Sequence, residues 1–305
     1  MLDAFFKPKA VAIVGASTEP AKLGYTVLAN VIESGYKGNI YPINPKASEI
    51  YGHKAYRSVL DLPEVPDLAV IVIPYPLVPG ALRECGEKGI RAVVIITAGF
   101  RESGAEGIER EREVIQIARE YGIRIIGPNV LGIMDMFTPI NATFAAGTPP
   151  RGNIAFMSQS GALQTAIVDW ALGAQDLGFS KFVSLGNKAD VSEIDLMQAW
   201  ADDPESKVIL SYVEGVSNGA EFIRVARQVS RKKPILVLKS GVTEAGSRAV
   251  SSHTGSLAGS EQAYDAAFYQ AGVLRVNSLQ ELFDSARAFA SQPLLEGDRI
   301  AIITN

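Results

Sequence analysis

Only two histidines occur in the 305 residues, and one of them, His253, lies in "SSHTGSLAGS" (251–260), a run too polar and too rich in glycine to be core. A neutral imidazole is a capable nucleophile when a carboxylate holds its second ring nitrogen and so fixes the tautomer. Glu214 ends an apolar run in "YVEG" (212–215) and is a carboxylate of the kind required. In "MSQSGAL" (157–163), Ser158 and Ser160 can cap a helix, and Gly161 lets an anion approach the free amides of its first turn. Imidazole, carboxylate and helix N-terminus suit phosphoryl transfer through a phosphohistidine. The helix dipole and free amides would support the phosphoryl charge. "LGNKAD" (185–190) adds Asn187, Lys188 and Asp190, which also read as ordinary turn residues.

A second group of polar residues points to a nucleotide-like ligand. An apolar run enters "GASTEPAKLG" (15–24), and a helical pattern follows. A glycine turn leading from a strand to a helix cradles phosphate. The dinucleotide fingerprint G-x-G-x-x-G is absent, since Gly15 and Gly24 are too far apart. The next run ends in "YPINPK" (41–46), where an NAD site would carry an acid. Asn44, Pro45 and Lys46 stand there instead, and a lysine suits a phosphorylated ribose, as in NADP or coenzyme A. "ITAGF" (96–100) and "GPNVLG" (127–132) close two further runs on what must be the same side of a parallel sheet.

These residues all sit at the ends of short apolar runs separated by helical periodicity. Strands are expected at 9–15, 39–44, 68–74, 91–97 and 123–128, then at 153–158, 181–186, 207–215, 234–241 and 272–276. Such alternation means parallel sheets covered on both faces. The Gly- and Pro-bearing stretch 145–153 reads as a linker. The organisation expected is an α/β chain with a Rossmann-like unit over 1–145 and a flavodoxin-like parallel-sheet unit over 150–292. "RIAIITN" (299–305) reads as one more strand, the start of a third domain (298–305) that is cut short.

Composition narrows the classes. Apolar residues make up 47% and charged residues 20%, as in a globular protein with a filled interior. A net charge of −4 with scattered Lys and Arg speaks against nucleic acid. A lone cysteine, Cys85, excludes an internal disulfide and a Cys-based zinc site, and reads as buried in a helix. There is neither a signal-peptide pattern nor an apolar stretch near the roughly 20 residues of a membrane span, so no membrane association and a cytoplasmic location are expected. His53 reads as a surface turn residue, and Trp170 and Trp200 read as core packing.

Taken in order, "VGAS…G", "INPK", "GPN.LG", "SQSG", "YVEG" and "SSHTGSLAGS" resemble the α subunit of NDP-forming acyl-CoA synthetases, in particular ADP-forming acetyl-CoA synthetase, and more distantly succinyl-CoA ligase. The resemblance covers essentially the whole chain. It implies that coenzyme A is held by the first unit, at Gly15, Ser17, Lys22, Gly24, Asn44, Pro45, Lys46, Thr97, Gly99, Pro128 and Asn129. It implies a phosphate site at Ser158, Ser160, Gly161, Ala162 and Gly255, a phosphorylated His253 and a supporting Glu214. The implied reaction interconverts acyl-CoA, ADP and phosphate with acid, ATP and CoA. ADP/ATP with Mg2+ would bind an ATP-grasp β subunit or fused domain that the chain does not resemble, so a hetero-oligomer and a truncated α subunit or N-terminal fragment are expected. No metal site is assigned to this chain. Two other readings stay open: a CoA-sensing regulatory module of the kind fused to acetyltransferases, and an NADP-dependent oxidoreductase.

Overall fold

The computed structural model describes residues 2–173, 177–241, 261–294, 297, 299 and 301–304. Its first part runs α1 (Asp3–Phe6), β1 (Ala10–Val14), α2 (Leu23–Glu33), β2 (Asn39–Ile43), β3 (Glu49–Ile50), β4 (His53–Lys54), β5 (Leu68–Ile71), α3 (Val78–Lys88), β6 (Ala92–Ile95), α4 (Ala105–Tyr121) and β7 (Arg124–Ile126). A hairpin follows, β8 (Gly132–Asp135) and β9 (Ile140–Thr143). The rest runs β10 (Arg151–Ser158), α5 (Gly161–Gly173), β11 (Phe179–Ser184), α6 (Glu193–Trp200), β12 (Val208–Val213), α7 (Gly219–Val229), β13 (Ile235–Lys239), α8 (Glu261–Ala271), β14 (Leu274–Val276) and α9 (Leu279–Ser291).

Two parallel sheets result. The first is ordered β2-β1-β5-β6-β7, and the second β14-β13-β12-β10-β11 with the hairpin β8-β9 added antiparallel at one edge. Numbered by chain order, the parallel strands of both run 2-1-3-4-5, the flavodoxin-like arrangement. All five residues of β1 are buried, as are all six of β11, because helices cover both faces. Helices α3 and α4 stop at Gly89 (φ 99°) and Gly122 (φ 65°), left-handed positions that glycine adopts without a Cβ clash.

Three apolar layers hold the sheets. One lies outside the first sheet under α3 and α4, around Leu82, Cys85, Val114 and Ile117. Another lies outside the second sheet under α5 and α9, around Phe156, Phe179, Phe182 and Phe283. The third is common to both and runs from Ile13 and Leu28 through Ile133 and Ile140 to Met157, Trp200 and Phe222. Phe6 of α1 meets Trp200 of α6 edge to face at 6.0 Å, tying the N-terminus to the second unit.

The hairpin is shared. Its backbone bonds put it in the second sheet, at Lys181↔Asp135 and Val183↔Ile133. Yet the Asn30 side chain of α2 donates to the carbonyls of Thr143 and Ala145, both at 2.9 Å. The stretch within 1–145 expected to complete the first unit is therefore the piece that fastens the two together. One further expectation is corrected. Trp170 is not fully buried but 41% exposed, its ring packed at 4.9 Å against that of buried Phe283. The described residues of 299–305 are not in a strand, and Ile302 and Ile303 are almost fully exposed. No helix among the described residues is long and apolar enough to cross a membrane.

Candidate functional site

In each sheet the chain order reverses between two adjacent strands, β1 and β5 in the first and β10 and β12 in the second, and ligands of open α/β sheets bind outside the carboxyl ends at such points. Here both points open into one cleft of about 960 Å³. Gly15, Ser17, Lys22, Gly24, Asn44, Thr97 and Asn129 line it from the first unit. Ser160, Gly161, Ala162 and Glu214 line it from the second.

The first wall is built from backbone. Gly15 has φ +98°, and a Cβ there would stand 2.5 Å from the Val72 carbonyl oxygen. A Cβ on Gly24 would stand 1.9 Å from the Gly15 oxygen, so α2 begins in direct backbone contact with the end of β1. This close approach is what a bulky phosphate-bearing ligand needs of a glycine turn, and the cleft volume accommodates coenzyme A as a class of ligand. The polar side chains here mostly serve the protein. Asn44 donates to the Ala16 carbonyl at 2.8 Å and accepts from the amides of Lys46 and Ala47. Thr97 donates to the Ile73 carbonyl at 2.7 Å, and Ser17 accepts from the Glu19 amide. Lys22 pairs with Glu19 at 2.6 Å on the surface. Pro45 and Lys46 are exposed and stand outside the cleft lining. Gly99 and Pro128 also lie outside it: the Gly99 amide donates to Glu102, and the Pro128 carbonyl accepts from the Asn187 amide at 3.0 Å.

The second wall is built from side chains. Ser158 is fully buried and does not line the cleft; its hydroxyl accepts from the Ser160 amide and donates to the Ser160 carbonyl, both at 3.0 Å, which shapes the turn. Ser160 caps α5 by accepting from the Leu163 amide at 3.3 Å, leaving the first turn at Gly161 and Ala162 facing the cleft. Glu214 is 9% exposed at the tip of β12. His253 and Gly255 lie outside the described residues.

Several further residues, among them Asn187 and Lys188 of the "LGNKAD" stretch, join these parts. Gln159 accepts from the amides of Glu214 (2.9 Å) and Gly215 (3.1 Å) and donates to the Gly215 carbonyl at 3.0 Å and, at 3.4 Å, to Glu193. Lys188, itself at φ +52°, donates to Glu193 at 3.0 Å and to the Gly215 carbonyl at 2.7 Å. Asn187 donates to Glu102 and Glu111 of the first unit at 2.6 and 2.8 Å, and Glu111 also pairs with Arg101 at the cleft. Burial pushes the Glu102 carboxyl up, but bonds from Asn187 and from the Gly99 and Phe100 amides outweigh it and hold the carboxyl below its usual value. Lys239 closes β13 with its ammonium 4.7 Å from the Tyr264 ring; burial lowers its pKa, and Arg275 adds to this while Glu261 and Glu214 oppose it. The signal for Gln159 was its place between two serines at a strand end. Nothing local marked Glu193, although its partner Lys188 is close in the chain, or Tyr264, whose partners Val216 and Lys239 are distant. Among the described residues no group of three His, Cys, Asp or Glu could hold a metal ion.

Comparison with known proteins fits this division. Residues 9–136 match a family described as CoA binding domain, and residues 151–289 one described as Succinyl-CoA ligase like flavodoxin domain. The chain is 52% identical over its whole length to the Pyrococcus furiosus acetate–CoA ligase [ADP-forming] II subunit alpha, of which it spans 66%. It is 47% identical to the 4-hydroxybutyrate–CoA ligase [ADP-forming] of Nitrosopumilus maritimus, with 98% of the chain matched to 43% of that protein. Among solved structures, the acetyl-coenzyme A synthetase 1 of Ca. Korarchaeum cryptofilum in complex with phosphate and ADP superposes with a TM-score of 0.94 at 43% identity, covering 97% of this chain and 64% of that one. The chain thus spans less than two thirds of the length of one Pyrococcus subunit and less than half of a longer ligase.

Proposed function

Since the chain belongs to the ADP-forming acyl-CoA ligase family, matching about two thirds of an α subunit over its own whole length, we propose that it forms the part of such a ligase that binds acyl-CoA and carries a phosphohistidine. The observation that carries the reading is the single cleft shared by the Gly15–Gly24 turn, the start of α5 and Glu214. The first wall holds the nucleotide end of CoA through the backbone around Gly15 and Gly24, with Thr97 and Asn129 farther along. Phosphate lies against the amides of Gly161 and Ala162, where a helix N-terminus supports negative charge. It attacks the thioester carbonyl, the C–S bond breaks, and CoA leaves as an acyl phosphate forms. His253 then takes the phosphoryl group: its unprotonated ring nitrogen forms the N–P bond as the P–O bond to the carboxylate breaks, and the free acid leaves as its carboxylate, while the proton stays on the other ring nitrogen. Glu214 holds the second ring nitrogen and stabilises the cation that develops. Phosphohistidine passes the group to ADP, with Mg2+, on an ATP-grasp subunit or domain. The name of the Pyrococcus relative, a subunit alpha, supports such a partner as a separate subunit and hence a hetero-oligomer, and the greater length of the Nitrosopumilus ligase supports it as a fused domain.

The test is labelled orthophosphate with acetyl-CoA and Mg2+, applied to the protein assembled with its nucleotide-binding portion. A base-stable, acid-labile label is expected that His253→Ala abolishes. No label from the competent assembly overturns the reading. CoA binding without label would instead favour a regulatory CoA sensor, and NADPH binding without CoA binding an oxidoreductase.

A further inference from the structure

The backbone beyond the end of β12 has lost its neighbours. The last ladder bonds around it are Gln159 N–H to the Tyr212 carbonyl at 3.2 Å and Ser240 N–H to the Val213 carbonyl at 3.0 Å. The next two amides, of Glu214 and Gly215, and the Gly215 carbonyl project past both flanking strands. Buried backbone groups of this kind require partners. The Gln159 amide supplies them by standing where a strand would continue, its oxygen taking both N–H groups and its nitrogen meeting the carbonyl. Lys188 reaches the same carbonyl from the other side and is itself held by Glu193, which is 1% exposed.

This is more than a tip needs in order to be hydrogen-bonded. A buried ammonium–carboxylate pair carries a desolvation penalty, and a non-glycine residue at φ +52° carries backbone strain. Both devices converge on Gly215, the residue that follows Glu214: Gln159 holds its N–H and its carbonyl, and Lys188 holds the same carbonyl. Lys188 follows Asn187, which is bonded to Glu102 and Glu111 of the opposite wall, so the tip is referenced to both halves of the cleft.

We propose that Gln159 and Lys188 are positioning residues for Glu214, locking the backbone on either side of it, from the Glu214 N–H to the Gly215 carbonyl, so that the carboxylate is presented to the cleft in one orientation. The inference rests on the phosphohistidine reading and adds which residues make its carboxylate effective. Neither residue touches the reacting atoms in this assignment. Their effect is on the rate of phosphoryl transfer and is exerted through Glu214 alone.

The experiment measures enzyme phosphorylation from labelled orthophosphate and acetyl-CoA in the assembled protein, for Gln159→Glu and Lys188→Met, each with and without Glu214→Gln. Gln159→Glu keeps the shape but turns a repelling oxygen toward the Gly215 carbonyl and Glu193. Each single change is expected to slow phosphorylation by roughly 100-fold, the loss typical of a misplacement near 1 Å, with an unchanged KM for acetyl-CoA. On the Glu214→Gln background neither change should slow it further. Losses that multiply with that of Glu214→Gln, or a raised KM at unchanged rate, overturn the inference. Where Gln159→Glu lowers the thermal midpoint, Gln159→Met, which lacks the repelling oxygen, replaces it under the same criteria. A slow Glu214→Gln beside fast Gln159 and Lys188 variants ends this inference alone. A Glu214→Gln protein as fast as the parent, or a label that survives His253→Ala, ends the underlying reading instead.

Discussion

The two sheets repeat one topology and use its switch point in different ways. In the first, the grip comes from close backbone approach: Gly24 rests on Gly15, and Asn44 and Thr97 spend their hydrogen bonds shaping loops. In the second, the strand ends are fastened by buried polar side chains, Gln159, Lys188 and Glu193, around a carboxylate. The difference follows from the task each wall is read as having. Holding a large ligand needs shape and free amides, which glycine provides. Directing a reaction needs charge fixed to within a fraction of an ångström, and only side chains with a second layer of partners provide that.

The largest effect that would separate the walls is at Glu214. Glu214→Gln should slow phosphorylation of the protein by about 10²–10⁴-fold, the usual range for a lost acid–base or orienting group, and leave CoA binding intact by equilibrium titration. A parallel loss of CoA affinity would break the division of labour.

Next comes the ion cluster that anchors the shared hairpin. Lys181 bonds Asp203 at 2.7 Å and Glu205 at 2.8 Å and lies 3.4 Å from Asp135. Lys181→Met strips the buried carboxylates of their ammonium and should cost about 3–5 kcal/mol in denaturant unfolding. Asp135→Asn should be nearly neutral, because only Oδ1 is bonded, to the amides of Phe137 and Thr138, while Oδ2 has no hydrogen-bond partner. The pH dependence has two signs here. Burial pushes Asp203 up, but bonds from Lys181 and Ser206 outweigh it and hold the carboxyl below its ordinary value. Its contribution is therefore complete above about pH 4 and fades as pH falls further. Burial raises Asp135 despite Lys181, so it favours the fold only while protonated and loses that contribution as pH rises through its shifted value. Asp135→Asn should accordingly flatten the stability profile above pH 4, as followed by thermal melts.

Gly24→Ala tests the first wall. The Cβ would meet the Gly15 oxygen at 1.9 Å, so α2 must move away from β1, at about 1–3 kcal/mol for overpacking. Acetyl-CoA binding should weaken about tenfold or more, whereas phosphorylation from ATP in the assembled protein, which needs only the second wall, should persist. The smallest effect is expected at Lys46, exposed beside the cleft. Lys46→Ala should weaken CoA binding no more than about severalfold, and less at high salt, because the charge is screened by solvent.

Much of the fold was legible before any coordinates. All ten parallel strands form where runs such as "AVAIV" and "VILSYV" place them, because buried strands need continuous apolar sequence. The serine cap at Ser160 and the glycine turn at Gly15 were also readable, since capping and left-handed φ are local demands. Trp170 shows the limit, since periodicity does not say how completely a neighbouring helix covers a side chain: its ring meets Phe283 and yet stays 41% exposed.

What the sequence determined by itself is therefore the set of elements and the residue types at their ends, because propensity, periodicity and capping act over a few residues. The tertiary structure decided that two switch points share one cleft, that the hairpin at 132–143 bonds to the second sheet while Asn30 of the first unit holds its end, and that Gln159, Lys188 and Glu193 meet at Gly215. Those contacts join residues separated by up to more than a hundred positions, and pairing over such distances is set by packing of whole layers rather than by any local pattern.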